Sequence, residues 1–314
     1  MKKIYASIAL AGLLFACETQ NQGEIKKTDS TEQNTNTKDS TDLNSEIVKV
    51  TSELPSPVDF VAHINQAKLE YNPKFLNSPD NASAYQTSQK VALNLGVYLV
   101  DLGYNSLYVK SQEGLSYLKA TKKLSDQLNI LDEQTKSLVG KFENNLENRD
   151  SLLSIAREGY FTIDDYLRKN ERKDISTYIL IGSWVEGLYI GTSLLKTLPN
   201  YDSDEKYKLV LWRIGGQKNS LANLITVVSK LEQNEETKQL LAKLQDLQKV
   251  YQDVKVEEGN SSDIDVLDIA EVQNSDEISE KMMAKTIKKV EITKANIDSI
   301  HEKVSELRNF IVKK

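Results

Sequence analysis

VALNLGVYLVDLGYNSLY, running from Val91 to Tyr108, decides the fold. Its apolar and aromatic side chains point to almost every side of a helix: Leu93, Leu95, Val97, Tyr98, Leu99, Val100, Leu102, Tyr104 and Leu107. A helix that is apolar all round needs protein on every face, so this one is expected at the centre of the molecule. A second stretch has the same character. YILIGSWVEGLYIGTSLL, from Tyr178 to Leu195, follows Asp174 as a helix cap and stops before Pro199. It is close to membrane-spanning length, but Glu186 sits at its middle, where a charge in lipid costs several kcal/mol. The expectation is a second buried core helix. The two stretches also echo each other, Gly96-x-Tyr98-Leu99-x-x-Leu102 against Gly182-x-Trp184-Val185-x-x-Leu188, and each sets a glycine where helices can approach closely. Two copies are too few for a solenoid, so the echo is read as duplicated packing within one bundle.

Working outward, order is expected to begin at Leu54-Pro55-Ser56-Pro57, with Ser56 capping a helix to about Leu69 and Pro57 in its first turn. Asn72-Pro73, Asn77 and Pro79-Asp80-Asn81 mark an irregular loop, and Ser83 with Gln86 forms a capping box for the central helix. Beyond it, Ser111 opens a helix with Leu115, Leu118, Ala120 and Leu124 on one stripe, and further helices cover Leu131 to Leu146 and Arg149 to Lys169. Asp202 with Glu205 caps a helix carrying Leu209, Leu211, Trp212, Ile214, Leu221, Leu224 and Val228, and Glu235 to Val254 adds a more polar one. The short connections make successive helices antiparallel neighbours. The fold class expected is all-α: one bundle of seven to nine helices around two buried ones, within residues 54–255.

Residues 256–274 read as an acidic linker, in which Asp263, Asp265, Asp268 and Glu271 alternate with apolar residues without the spacing of a calcium loop. Residues 275–314 read as an amphipathic helix, since Met283, Val290, Ile297, Val304 and Ile311 recur every seven residues, with Ile300 and Leu307 beside them. Such a narrow seam suits a helical surface, either the chain's own domain or a protein partner.

At the other end, Lys2 and Lys3 precede an apolar run from Ile4 to Phe15, the pattern of a signal peptide over residues 1–16. Its exit, Leu14-Phe15-Ala16-Cys17, resembles a bacterial lipobox, which implies lipidation of Cys17; an ordinary secretory peptide with a chance cysteine is the competing reading. Several acyl chains on one cysteine make a stable anchor to a membrane the chain does not cross. The expected place is the cell envelope, at the outer membrane, with the leaflet left open. Residues 17–53 are nearly all polar and cannot bury enough surface to offset ordering entropy, so they read as a disordered tether. A flexible coil of that length reaches roughly 30–35 Å. Within it, Asp29-Ser30-Thr31 and Asp39-Ser40-Thr41 look like O-glycosylation sites of Bacteroidota at Ser30 and Ser40, with chance as the rival in so Ser/Thr-rich a stretch.

Removing residues 1–16 leaves 298 residues and moves the formal charge from −6 to −8 as Lys2 and Lys3 depart. An acidic chain has no basic excess for phosphates, so nucleic acid is not expected as a partner. Cys17 is the only cysteine, so stability must come from packing rather than disulfides.

Asn72-Pro73, Leu76-Asn77, Asn81-Ala82, Tyr85, Thr87, Ala92-Leu93-Asn94-Leu95-Gly96-Val97-Tyr98, Asp101-Leu102 and Tyr104 resemble a family of all-helical lipoproteins from Bacteroidota. Asn148-Arg149-Asp150-Ser151-Leu152, Tyr166-Leu167 and the run from Gly182 to Tyr189 extend the resemblance, which covers about Leu54 to Leu247. It implies the envelope address and the helical fold, and supplies no reaction.

Chemistry, if present, should lie with the ionisable residues on apolar helices: Asp101, Glu186 and Arg213, with Asn94 and Gln217 nearby in pattern. Buried charges need partners, and Glu186 with Arg213 is one candidate pair. Two readings compete. One is a structural polar network; the other is a small-ligand pocket walled by Tyr98, Tyr104, Trp184 and Tyr189. His63 and His301 lie far apart, no His-Glu-x-x-His zinc motif, Gly-x-Ser-x-Gly elbow or phosphate loop occurs, and Asp164 and Asp165 diverge by about 100° on a helix. Ile214-Gly215-Gly216-Gln217-Lys218 reads as close helix contact or a kink. No metal or cofactor is expected. The function read from all this is a non-catalytic binding or assembly component of the envelope, with a small-ligand pocket protein as the alternative and a hydrolase third.

Overall fold

A computed structural model describes residues 69–130, 133–258 and 287–314. Cys17, Ser30, Ser40, the tether, the expected helix from Ser56, the acidic stretch after residue 258 and Met283 lie outside the described residues.

The described chain is an all-α bundle with one small hairpin. Eight α-helices are present among the described residues: α1 (Ser88–Leu107), α2 (Ser111–Gln127), α3 (Glu133–Glu143), α4 (Arg149–Lys169), α5 (Lys173–Lys196), α6 (Lys208–Lys230), α7 (Glu235–Val250) and α8 (Lys294–Val312). Between α7 and α8, β1 (Lys255–Glu258) pairs antiparallel with β2 (Ile287–Glu291), matching Val256 to Val290 and Lys255 to Glu291.

α1 and α5 form the axis on which the other elements hang. α2 and α4 cover α1 on one side, with α3 on α4, while α8 packs on α5, α7 on α8, and α6 bridges α5, α7 and the hairpin. α5 is long and apolar enough to cross a membrane, yet 94% of its most apolar window is buried against the rest of the chain. The two axial helices touch backbone to backbone. A Cβ on Gly96 would collide with the Ile179 carbonyl oxygen, and one on Gly182 with the Leu93 carbonyl oxygen. The Ser183 hydroxyl uses the same closeness to donate to the Gly96 carbonyl at 3.1 Å. Gly215 marks a close contact too, but its neighbour is Val290 of the hairpin rather than another helix.

Local signals place the helix ends. α1 starts after Thr87, whose side chain accepts the Lys90 N–H at 3.1 Å. The box expected at Ser83 and Gln86 lies one turn too early, because Ser78 and Pro79 instead cap and open a short 3-10 turn, Pro79–Ser83. Three helices end alike: the N–H of Lys110, Ile130 and Arg172 returns to the carbonyl of Asn105, Ser125 and Leu167, and the residue before each, Val109, Asn129 and Glu171, takes positive φ.

The C-terminal region differs from expectation. Over the described part of the helix expected across 275–314, Val290 belongs to a strand and the helix starts at Lys294, where Thr293 and Asn296 form a reciprocal capping box. A seven-residue spacing is the same in a strand followed by a helix as in one helix, so period alone could not separate Val290 from Ile297. The seam itself is internal: Ile297, Ile300, Val304, Leu307 and Ile311 are fully buried against α5 and α7.

Candidate functional site: a buried polar junction

Asp101 and Glu186 face each other across the α1–α5 axis, both fully buried. The partner of Glu186 is Arg308 of α8, not Arg213. Arg308 Nε donates to Oε2 at 2.7 Å and Nη2 to Oε1 at 2.8 Å, a bidentate pair with the carboxylate wholly buried. Nη2 also donates to the Phe75 carbonyl at 2.9 Å, which ties in the irregular segment ahead of α1. The guanidinium lies 4.3 Å over the ring of Tyr189, which stacks on His301 and meets Phe75 edge-on. The Glu186 carboxylate and Tyr189, one turn apart on α5, therefore hold the same cation by two different means.

Asp101 Oδ2 accepts the Asn77 N–H at 3.1 Å. Burial first, then the adjacent Glu186 carboxyl group, push the Asp101 carboxyl well above the ordinary carboxylate range; Arg308 and the Asn77 amide pull less strongly the other way. The favoured species is a neutral Asp101 beside the Glu186–Arg308 pair.

Around this core, side chains from α1 and its leading segment satisfy the C-terminal carbonyls of α8. Asn94 Nδ2 donates to the Ile311 carbonyl at 3.0 Å, the Tyr85 hydroxyl to that of Val312 at 3.3 Å, and Lys90 Nζ to those of Phe310 and Ile311. Helix ends leave such carbonyls without intrahelical donors, so the end of α8 is capped by a different part of the chain. Asn77 knits the network together, donating to Tyr85 at 2.9 Å and Asn94 at 3.4 Å and accepting from Asn81 at 2.8 Å.

The aromatic residues expected as pocket walls each make a bond or ring contact within the chain. Tyr98 donates to the Ser78 carbonyl at 2.7 Å, and burial raises its phenol pKa. The Tyr104 hydroxyl accepts the Asn72 N–H at 2.9 Å inside a cluster with Tyr71 and Tyr108, where burial pushes the Tyr71 phenol up to about 12. Trp184 donates to Gln217 Oε1 at 2.7 Å, and Gln217 Nε2 donates to the Arg213 carbonyl, so Trp184 joins α5 to α6. Arg213, nearly buried on α6, has its guanidinium 5.5 Å from the Trp212 ring. Asp101, Glu186 and Tyr189 thus share a junction, while Trp184 and Arg213 belong to another interface.

A hollow does exist, among α1, α2, α3 and α4, lined by Leu99, Leu118, Ser125, Phe142, Ile155 and Ile163 among others. Its free space is about 50 Å³ and almost wholly apolar. An apolar cavity of about 150 Å³ binds benzene, and this one is about a third of that size. Among the described residues no three His, Cys, Asp or Glu side chains converge as a metal site.

Arg308 was the residue that sequence reading passed over. Its signal was present: it stands eight residues after Ile300, four after Val304 and three before Ile311, on the buried stripe itself. Lys90, Asn77 and Tyr85 carried no comparable mark, because their partners are the carbonyls and side chains of distant segments.

No family model, curated protein or solved structure matches this chain.

Proposed function

We propose that the protein is a lipid-anchored component of the bacterial cell envelope whose helical domain binds or assembles with other envelope constituents and carries out no chemistry. The address rests on Leu14-Phe15-Ala16-Cys17 and on the resemblance to helical lipoproteins of Bacteroidota. The observation that carries the non-catalytic reading is where the core's polar atoms go. Both oxygens of Glu186, the Trp184 indole and the Tyr98 hydroxyl are spent on bonds within the chain, so they brace elements rather than face a substrate. A general acid or base needs reach to a bound reactant, and these groups have neighbouring helices there instead.

Two experiments test this. Cells fed labelled palmitate should incorporate it into the wild-type protein and not into Cys17→Ser, which should leave the membrane pellet; a Cys17→Ser form that stays in the pellet, or a wild type without label, sinks the anchor. Crosslinking in intact cells, followed by identification of attached proteins, should return the same few envelope partners from independent preparations. Recovery of the free monomer alone removes the assembly role.

A further inference from the structure

The junction of α1, α5 and α8 brings two buried carboxyl groups to one cation. Arg308 occupies both oxygens of Glu186, and Asp101 has one oxygen on the Asn77 amide while the other, Oδ1, is buried without a hydrogen-bond donor. Were both carboxyls ionised, the set would carry a surplus negative charge out of reach of water, which is strongly unfavourable. A proton on Asp101 removes that charge and turns the orphan oxygen into a donor for Glu186. The surrounding elements supply phenols to Asp101: Tyr98 from α1, Tyr117 from α2 and Tyr71 from the leading segment, each with its pKa raised by burial first and thus uncharged. The charged groups that bear on it are Glu186 from α5 and Arg308 from α8.

We propose that a proton held between Asp101 and Glu186 latches the C-terminal helix: α8 is seated while the proton is bound and is loosened when rising pH removes it to solvent. The seat is built for a reversible element. Besides its apolar seam, α8 is held by Arg308 at one level, by Lys196 on Asp298 and Thr192 on His301 from α5, and by Lys90, Asn94 and Tyr85 on its last carbonyls, all polar bonds that water can replace. Unseating α8 withdraws Arg308 and admits water to Asp101, which then ionises as an ordinary carboxyl. The seated form therefore holds one proton more than the unseated form from about pH 4 upward, until Asp101 itself titrates. Across that window the ratio of unseated to seated protein rises by up to about tenfold per pH unit. His301, which burial keeps from charging, stacks on Tyr189 beside Lys196 and Asp298; its titration runs with the opposite sign and does not involve Asp101.

The test is amide hydrogen exchange on the full chain over a series of pH values, with intrinsic exchange rates divided out. Amides of 294–312 should lose protection by up to about tenfold per pH unit as pH rises, while those at the α1–α5 crossing keep theirs. Asp101→Asn, whose amide can donate to Glu186 at any pH, should abolish the slope. The proposal is overturned if the α8 slope is absent in the wild type, if Asp101→Asn retains it, or if α1, α5 and α8 lose protection together. Should Asp101→Asn not fold, ¹³C carboxyl shifts of the wild type decide: Asp101 still protonated well above about pH 4 supports the latch, and an Asp101 that titrates in the ordinary range ends it.

Discussion

The crossing of α1 and α5 is fully buried and the seat of α8 largely so, and they are held by opposite means. At the crossing, Gly96 and Gly182 let two backbones touch, and apolar side chains fill the rest. At the seat, an arginine, two carboxyl groups, a lysine and an asparagine fix a helix whose apolar seam alone would fit many surfaces. The glycine contact gains stability from area and dispersion and holds no titratable group. The second fixes which surface α8 takes and in what register, at the expense of desolvated charge.

Breaking the polar seat should have the larger effect. Arg308→Leu strands Glu186 beside Asp101 and is expected to lower unfolding free energy by about 3–5 kcal/mol in urea denaturation at neutral pH. A double replacement, Glu186→Leu with Arg308→Met, should recover most of that loss, since it removes both charges at similar volume. A double mutant no better than Arg308→Leu would mean that the pair does more than satisfy its own charge. The apolar crossing is tested by Gly182→Ala, whose methyl group meets the Leu93 carbonyl; about 1–3 kcal/mol should be lost, with no change in pH dependence.

Stability against pH separates the two regions next. Because the Asp101 carboxyl is raised in the folded protein, its contribution is fully present below the unfolded carboxylate range near pH 4 and fades as pH climbs toward its folded value, by up to about 1.4 kcal/mol per pH unit. Asp101→Asn should remove that decline and leave the opposite slope from His301, whose pKa is depressed by burial. Chemical denaturation at five or six pH values reads both.

Smaller effects come from helix positions outside both regions. Gly140 in α3 has nothing within 4 Å of where a Cβ would stand. Gly140→Ala should therefore raise stability by about 0.5–1 kcal/mol, the reverse of Gly182→Ala. Val109, at φ 51° after α1, is a β-branched residue in left-handed backbone. Val109→Gly should gain up to about 1 kcal/mol by thermal melting.

How far the candidate site could be read in advance varied residue by residue. Asp101 and Glu186 stood out because a charge inside an all-round apolar helix is costly wherever it ends up, a purely local fact. Their partner does not, although Arg308 lies on its own helix's buried stripe. The partners of the aromatic residues were hidden for a related reason: Tyr98, Tyr104, Trp184 and Tyr189 each find an acceptor, donor or ring in a segment distant along the chain. Val290 misled because a seven-residue recurrence ran on through a strand into a helix.

Apolar periodicity by itself determined an all-α bundle around two central helices, and the paired glycines announced where those helices meet, since both depend on residues within a few turns of one another. Tertiary structure alone decided that Arg308 would reach Glu186 across 122 residues of chain, that α8 would end on donors from Lys90, Asn94 and Tyr85, and that Asp101 would be left with an oxygen only a proton can satisfy. Local sequence sets which groups must be buried. Which of them come together is set by how the helices pack, and no stretch of chain short enough to read as a pattern contains both members of the pair.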